Sequence, residues 1–273
     1  MHCDTAYKMY TQNKDFQQND LAISAELGSC FKKWFQTFAV FISEDIQNPF
    51  LFYKNTLNNL KQRLTNTVTP VFAVEGGSLI DSTEQLYELK NDGIRFITLT
   101  WNGENKIAGG VKTQKGLTAF GKTVITKMNE LKIAVDVSHL NEKSFYGVIQ
   151  HADKILATHS NCKSVCDVPR NLSDEQIKLI AQKGGIIGLN FYPLFLGGDF
   201  LEKIYENICH LCDMGLESNI AIGTDFDGAA MDAFADNISK IPQIFEALQQ
   251  KGLKKELLNK IFFKNANDFL LNL

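Results

Sequence analysis

The feature that most constrains this chain is a rhythm of apolar runs. Seven short runs, at residues 38–42, 71–74, 94–99, 133–137, 155–158, 185–189 and 219–223, are separated by longer amphipathic stretches. Most of the runs lack polar alternation, as strands covered on both faces should. The stretches between them carry helix signals. Asp81 and Glu84 have capping-box spacing with Gly93 as the stop. Ser173 and Gln176 repeat the spacing ahead of Gly184 and Gly185, and Asn141 is placed to open the helix after His139. Strands alternating with helices make a parallel sheet of βαβ units. At 273 residues the chain has a common length for one such barrel. The expected fold class is α/β, a (β/α)8 TIM barrel forming a single domain over residues 1–273, with an open doubly wound sheet as the alternative. An eighth strand would have to end at His2 and Asp4 with only Met1 ahead of them. The first strand is therefore expected to be truncated and to fray.

Polar residues with metal-binding chemistry stand where the runs end. Glu75 follows the second run, His139 the fourth, His159 the fifth and Asp225 the seventh. In a parallel barrel these ends converge at one mouth, and charged or imidazole groups there are costly unless they bind something. His2 and Asp4, two apart, share a face of an extended strand and can grip one cation. A carboxylate such as Glu75 has two oxygens and can bridge two cations. Each signal has a bland alternative: a frayed terminus for His2 and Asp4, a loop carboxylate for Glu75, a satisfied core imidazole for His139 or His159. Asp227, two beyond Asp225, reads as a turn residue, and Asp225 as the better catalytic candidate. Arg170 precedes the Ser173 helix, where a guanidinium fork would suit an anionic substrate group.

The formal net charge is -3 with both signs scattered, and there is no basic stripe of the kind phosphate backbones require. No window approaches the ~18 apolar residues of a membrane span, and the N-terminus lacks the basic-then-apolar pattern of a leader. The six cysteines form no dense framework, which suits reduced thiols in a cytoplasmic protein. Cys209 and Cys212 fall inside a helical stretch with no second pair to complete a zinc site, and read as helix cysteines.

Taken together, His2-Cys3-Asp4-Thr5, Glu75-Gly76-Gly77, Leu99-Thr100-Trp101-Asn102, Asp136-Val137-Ser138-His139, His159-Ser160-Asn161, Arg170-Asn171 and Asp225-Phe226-Asp227-Gly228 resemble the membrane (renal) dipeptidase family, in order and over essentially the whole chain. The lack of a leader resembles its bacterial cytoplasmic branch. The resemblance implies a (β/α)8 barrel with two zinc ions. His2 and Asp4 would hold one, His139 and His159 the other, and Glu75 would bridge them. Arg170 would take the substrate's C-terminal carboxylate and Asp225 would transfer the proton. It further implies hydrolysis of dipeptides by a metal-bridging hydroxide, with a D-residue tolerated at the C-terminal position. The family's animal members carry a histidine near the developing oxyanion. Trp101 and Asn102 stand in the corresponding loop here and are the candidates to contact substrate instead.

The expected partner is thus a small dipeptide, with no nucleic acid or membrane engaged and a homodimer left open. Two rival readings share the scaffold: another metal-dependent amidohydrolase, and a non-catalytic binding protein whose metal site has degenerated.

Overall fold

The computed structural model describes residues Met1–Leu273. Seven parallel strands appear where the apolar runs predict them: β1 Phe35–Phe41, β2 Thr69–Glu75, β3 Ile94–Thr98, β4 Ala134–Asp136, β5 Ile155–Leu156, β6 Ile187–Leu189 and β7 Ile220–Ile222. The first five form one sheet in sequence order and the last two pair with each other. A parallel bridge from Ala157 to Ile187 joins the two sheets. The remaining gap, between β7 and β1, is closed by residues 1–4. Met1 N donates to Ile222 O at 2.5 Å, Asp4 N donates to Phe226 O at 2.8 Å, and Ala39 N donates to Cys3 O at 3.0 Å. The ring closes with this stub as its eighth stave, so the open-sheet alternative does not hold. Nor does the stub fray: paired on both edges, it leaves His2 1% and Cys3 0% exposed.

The helices cover the outside: α1 Thr5–Thr11, α2 Pro49–Arg63, α3 Gln85–Asn91, α4 Ala119–Glu130, α5 Glu142–Ile149, α6 Asp174–Gln182, α7 Pro193–Leu196, α8 Phe200–Asp213, α9 Ile241–Gln250, α10 Lys255–Asn259 and α11 Asn265–Leu271. None is long and apolar enough to cross a membrane. Ser173 and Gln176 form both halves of the capping box on α6, and Asn141 accepts from Ser144 N at the start of α5. The box expected at Asp81 and Glu84 does not form. There α3 starts at Gln85, whose side chain accepts from the backbone N–H groups of Asp81 and Ser82. Cys209 and Cys212 lie on α8 as free thiols.

The lumen follows from strand alternation. A small interior cluster, Ala73, Phe96, Ala134, Leu156, Ile186 and Ala221, takes one residue from the vicinity of each strand β2 to β7. Three alanines against three large side chains fill the bore. Because side chains alternate faces, the residues two positions further on also point inward. They are Glu75, Thr98, Asp136, Thr158, Gly188 and Gly223. One polar layer thus sits directly above an apolar one, at the C-terminal mouth where barrels build their sites.

Candidate metal centre and active site

The stub, β2, β4, β5 and the loop after β7 deliver six of the expected side chains to this layer. Glu75 lies between the others, and its two oxygens face different partners. Oε2 is 3.2 Å from His2 Nε2, which is also 3.5 Å from Asp4 Oδ2. Oε1 is 2.8 Å from His139 Nε2 and 3.5 Å from His159 Nε2. Asp225 Oδ1 lies 4.0 Å from His2 Nε2. All six residues are less than a tenth exposed.

Hydrogen bonds behind the imidazoles decide what faces the centre. His139 Nδ1 lies 2.9 Å from Asn102 Oδ1, an acceptor, so the ring proton sits on Nδ1. His159 Nδ1 lies 2.7 Å from Thr158 Oγ1, whose own proton goes to the carboxylate of Asp136 at 2.6 Å. The Nε2 atoms of both histidines therefore carry lone pairs. They stand 2.9 Å apart beside a carboxylate oxygen. Burial first, then the positive charge of Arg170 and His2, holds both imidazoles well below the usual histidine range, so neither acquires a proton near neutrality. A cation placed between these facing acceptors would satisfy both.

The donor set fits such an ion. A tetrahedral metal with bonds of ~2.0–2.1 Å spaces its ligand atoms ~3.3 Å apart, and the contacts around the two Glu75 oxygens run from 2.8 to 3.5 Å. Asp4 Oδ1 is buried without a hydrogen-bond partner. Burial, reinforced by the charge of Glu75, pushes the carboxyl of Asp4 up to about 6, and burial with Asp4 and Glu75 nearby pushes Asp225 up to about 7. A cation among these carboxylates would reverse that penalty. Two acceptor groups, His2 with Asp4 and His139 with His159, share Glu75.

The substrate side is also arranged. Arg170 is 7% exposed and reaches Ser160 Oγ and His159 O at 3.3 Å each, while its Nε has no partner. Its guanidinium lies over the Phe195 ring at 5.3 Å. A cleft of about 590 Å³ opens beside His139 and Arg170, with Lys143, Tyr146 and Lys163 on its walls. Asn190 Nδ2 donates to Asp225 Oδ2 at 3.1 Å and fixes the other oxygen towards His2. Trp101 packs against Phe41 with ring centroids 5.4 Å apart, and Asn102 is committed to His139 through its oxygen. Asp227 does not bond its own turn. It accepts from Thr5 Oγ1 and Ala22 N, tying the loop after β7 to the first helix and the loop that follows it.

Strain marks the same place. His139, Asp225 and Asp227 have φ of 69°, 65° and 68°, in the left-handed region that non-glycine residues seldom adopt. Gly228 is equally constrained. A Cβ there would lie 2.2 Å from Asp4 Oδ2 and 2.5 Å from Asp225 Oδ1. Sequence reading gave no role to Asn190 or Thr158, and quoted Asp136 and Gly228 only as parts of motifs. The alternation from Ala134 to Asp136 and from Leu156 to Thr158 carried a signal for two of them.

Comparison with known proteins agrees with this geometry. The family model described as membrane dipeptidase, peptidase family M19, matches residues 36–268. An uncharacterized protein in the pqqA 5' region of Klebsiella pneumoniae is 35% identical over 189 residues, 63% of this chain and 70% of that protein. An uncharacterized dipeptidase of Schizosaccharomyces pombe is 30% identical over 218 residues, 74% of this chain. The aligned part is 53% of the yeast protein, so this chain spans about half its length. Among solved structures, the metallopeptidase dipeptidase AC of family M19 superposes with a TM-score of 0.89 at 22% identity, over 98% of this chain and 96% of that one. A Rhodobacter sphaeroides metallopeptidase, solved with a phosphinate mimic of the dipeptide L-Ala-D-Ala, gives 0.83 at 22% identity over 99% and 97%. This chain therefore belongs to the membrane dipeptidase family, peptidase family M19, and is a metallopeptidase of the dipeptidase type.

Proposed function

We propose that this chain hydrolyses dipeptides with two zinc ions, as one catalytic domain over residues 1–273. The observation that carries the reading is the division of Glu75. One oxygen serves the His2 and Asp4 group and the other the His139 and His159 group. His2 and Asp4 would hold one ion, His139 and His159 the other, and Glu75 both. When bound, the ions would supply a water of lowered pKa and a polarised peptide carbonyl.

The chain's own residues do the rest. Arg170 offers a buried guanidinium with an unpaired Nε to the substrate's free carboxylate, which restricts substrates to short peptides. Asp225, held by Asn190 and titrating at about 7, is poised to take a proton from the attacking water and deliver it to the leaving amine. Asn102 orients His139, and Trp101 walls the mouth beside it. The mimic bound by the Rhodobacter sphaeroides relative supports L-Ala-D-Ala-like substrates, with a D-residue in the C-terminal position. We place the protein in the cytoplasm, engaging neither nucleic acid nor membrane, with a homodimer as the assembly to test.

Elemental analysis of purified protein, combined with turnover of a panel of L-Ala-L-Ala, L-Ala-D-Ala, their C-terminal amides and a phosphoester, tests the reading. Two zinc ions per chain and cleavage of the free dipeptides alone are expected. One ion or none, or preference for the phosphoester, would overturn it.

A further inference from the structure

Asp136 belongs to none of the roles above, yet it is 0% exposed at the centre of the lumen's polar layer. Four donors saturate its carboxylate. Oδ1 accepts from the backbone N–H groups of Ser138 and Thr158 at 3.0 Å each, and Oδ2 accepts from Thr98 Oγ1 at 2.5 Å and Thr158 Oγ1 at 2.6 Å. No lone pair is left to bind a metal, although Asp136 lies within reach of His2 and His159. What it does instead follows from proton counting. A carboxylate ringed by four donors has no proton to give, so the single proton of Thr158 Oγ1 points at Asp136. The two lone pairs of that hydroxyl then face outward, towards His159 Nδ1 at 2.7 Å and His2 Nδ1 at 3.3 Å. Both imidazoles must carry a proton on Nδ1, so that Nε2 is the nitrogen of each ring left to face a metal.

We propose that Asp136, acting through the one hydroxyl of Thr158, is the positioning residue that sets the tautomer of His2 and His159 together. Resting on the two-metal reading above, this makes one carboxylate the orienting partner for one ligand at each metal position. The two rings lie against each other, with centroids 3.9 Å apart, so one hydroxyl can serve both. Gly188 and Gly223 hold the strand in place: a Cβ on either would lie 2.0 and 1.9 Å from Thr158 O. Metal-bound histidines elsewhere use a partner on the far nitrogen in the same way, one ring to one acceptor, and lose 10–100-fold in affinity without it. Here a single acceptor is shared.

The consequence is sharp for Asp136→Asn. The two backbone donors hold the amide oxygen at the Oδ1 position, which places the NH2 group against Thr158 Oγ1. The hydroxyl must then accept from the amide and turn its single proton towards one imidazole, the nearer His159 at 2.7 Å. That selects the Nε2–H tautomer and blocks the metal-facing lone pair. Thr158→Val removes the acceptor without changing the side chain's shape, and Thr158→Ser restores it.

The test uses the full chain in four forms: wild type, Asp136→Asn, Thr158→Val and Thr158→Ser. Folding is verified by circular dichroism. Zinc affinity is measured by competition with a chromogenic chelator, and the His159 tautomer is read from 15N-histidine spectra of metal-free protein. Wild type and Thr158→Ser should show Nδ1–H at His159 and bind two zinc ions. In Asp136→Asn His159 should switch to Nε2–H, and in Thr158→Val both zinc affinities should fall at least about tenfold. A wild-type His159 protonated on Nε2, a loss confined to one metal, or unchanged affinities in Thr158→Val would each overturn the proposal. If Asp136→Asn does not fold, Thr158→Val against Thr158→Ser decides. Should wild type bind fewer than two ions, the two-metal reading fails, and the His159 tautomer still judges this one.

Discussion

The Nε2 atoms of His139 and His159 lie 2.9 Å apart, and the partners of the far nitrogens leave both as acceptors. Their protons are held on the far nitrogens by Asn102 and Thr158. Two lone pairs at that distance, beside a Glu75 oxygen 2.8 Å from one of them, repel unless a cation lies between. The polypeptide has therefore built destabilisation into its own core, and bound metal relieves it. Stripping the metal with a chelator should lower the melting temperature by about 10 °C, and adding zinc back should restore it. An ion at 1,000 times its dissociation constant contributes ~4 kcal/mol, and each kcal/mol moves a domain of about this size by ~2–4 °C. Calorimetry of both forms measures the shift; equal melting temperatures would show that the acceptors tolerate one another.

Gly228 tests the other metal position by steric means alone. The methyl of Gly228→Ala would enter the space between Asp4 Oδ2 and Asp225 Oδ1, at 2.2 and 2.5 Å. No charge or hydrogen bond is removed. Asp4 must move to admit it, and His2 and Glu75 lose a partner at the shared centre. The variant should fold, retain at most one zinc per chain and lose ~100-fold or more in turnover, as misplacement by about an ångström can cost. Metal content and kcat, measured on the same preparation, check this together.

Arg170 should act on binding rather than chemistry. Losing a charge-assisted hydrogen bond costs about 1.5–3 kcal/mol, or roughly 10–100-fold. Arg170→Ala should raise KM for a free dipeptide by that factor and leave kcat less affected. Arg170→Lys should fall between, since it keeps the charge but loses the fork. The dipeptide amide supplies the control: having no carboxylate, it should be cleaved as poorly by wild type as by Arg170→Ala. An equal fall in KM performance on acid and amide would move Arg170 away from the carboxylate.

Much of this was legible in the residues. The seven apolar runs lie on the seven strands because strands buried on both faces must be apolar throughout, and such runs are hard to hide. Glu75, His139, His159 and Asp225 stood out because a charge or imidazole at the end of such a run has few bland explanations. Closure of the ring through residues 1–4 was expected, but that the stub would be held firmly was not legible, since so short a segment gains its strand character from the edges of β1 and β7. Thr158 and Asn190 were hidden for a related reason. A threonine or asparagine is ordinary at a strand end; alternation from Leu156 points Thr158 inward, but only its distance to Asp136 and His2, and that of Asn190 to Asp225, reveals a task. The helix before Gly93 misled because Gln85 satisfies backbone donors that Asp81 and Glu84 had the spacing, but not the geometry, to serve.

Asp225 sets function against stability. Burial and the nearby charges of Asp4 and Glu75 raise its carboxyl from 3.8 to about 7 in the metal-free protein. The unfolded chain ionises this group at ~3.9. Between about pH 4 and pH 7 the folded state keeps a proton that the unfolded state has released. Stability from this group then falls as pH rises, since it rises only where the unfolded state binds more protons. Asp225→Asn cannot ionise, and its amide oxygen can still accept from Asn190 Nδ2. Metal-free Asp225→Asn should therefore match wild type near pH 4 and exceed it increasingly up to pH 7, by on the order of a few kcal/mol at pH 8. In melting temperature this amounts to about 5–10 °C. The same substitution should cost ~100–10,000-fold in kcat, the range expected for removing a general acid–base group. Melting curves at pH 4, 6 and 8, paired with turnover of the metal-loaded forms, give both numbers. If the variant shows no gain in stability at pH 8, the wild-type carboxyl ionises without penalty and its proton-transfer role loses its physical basis.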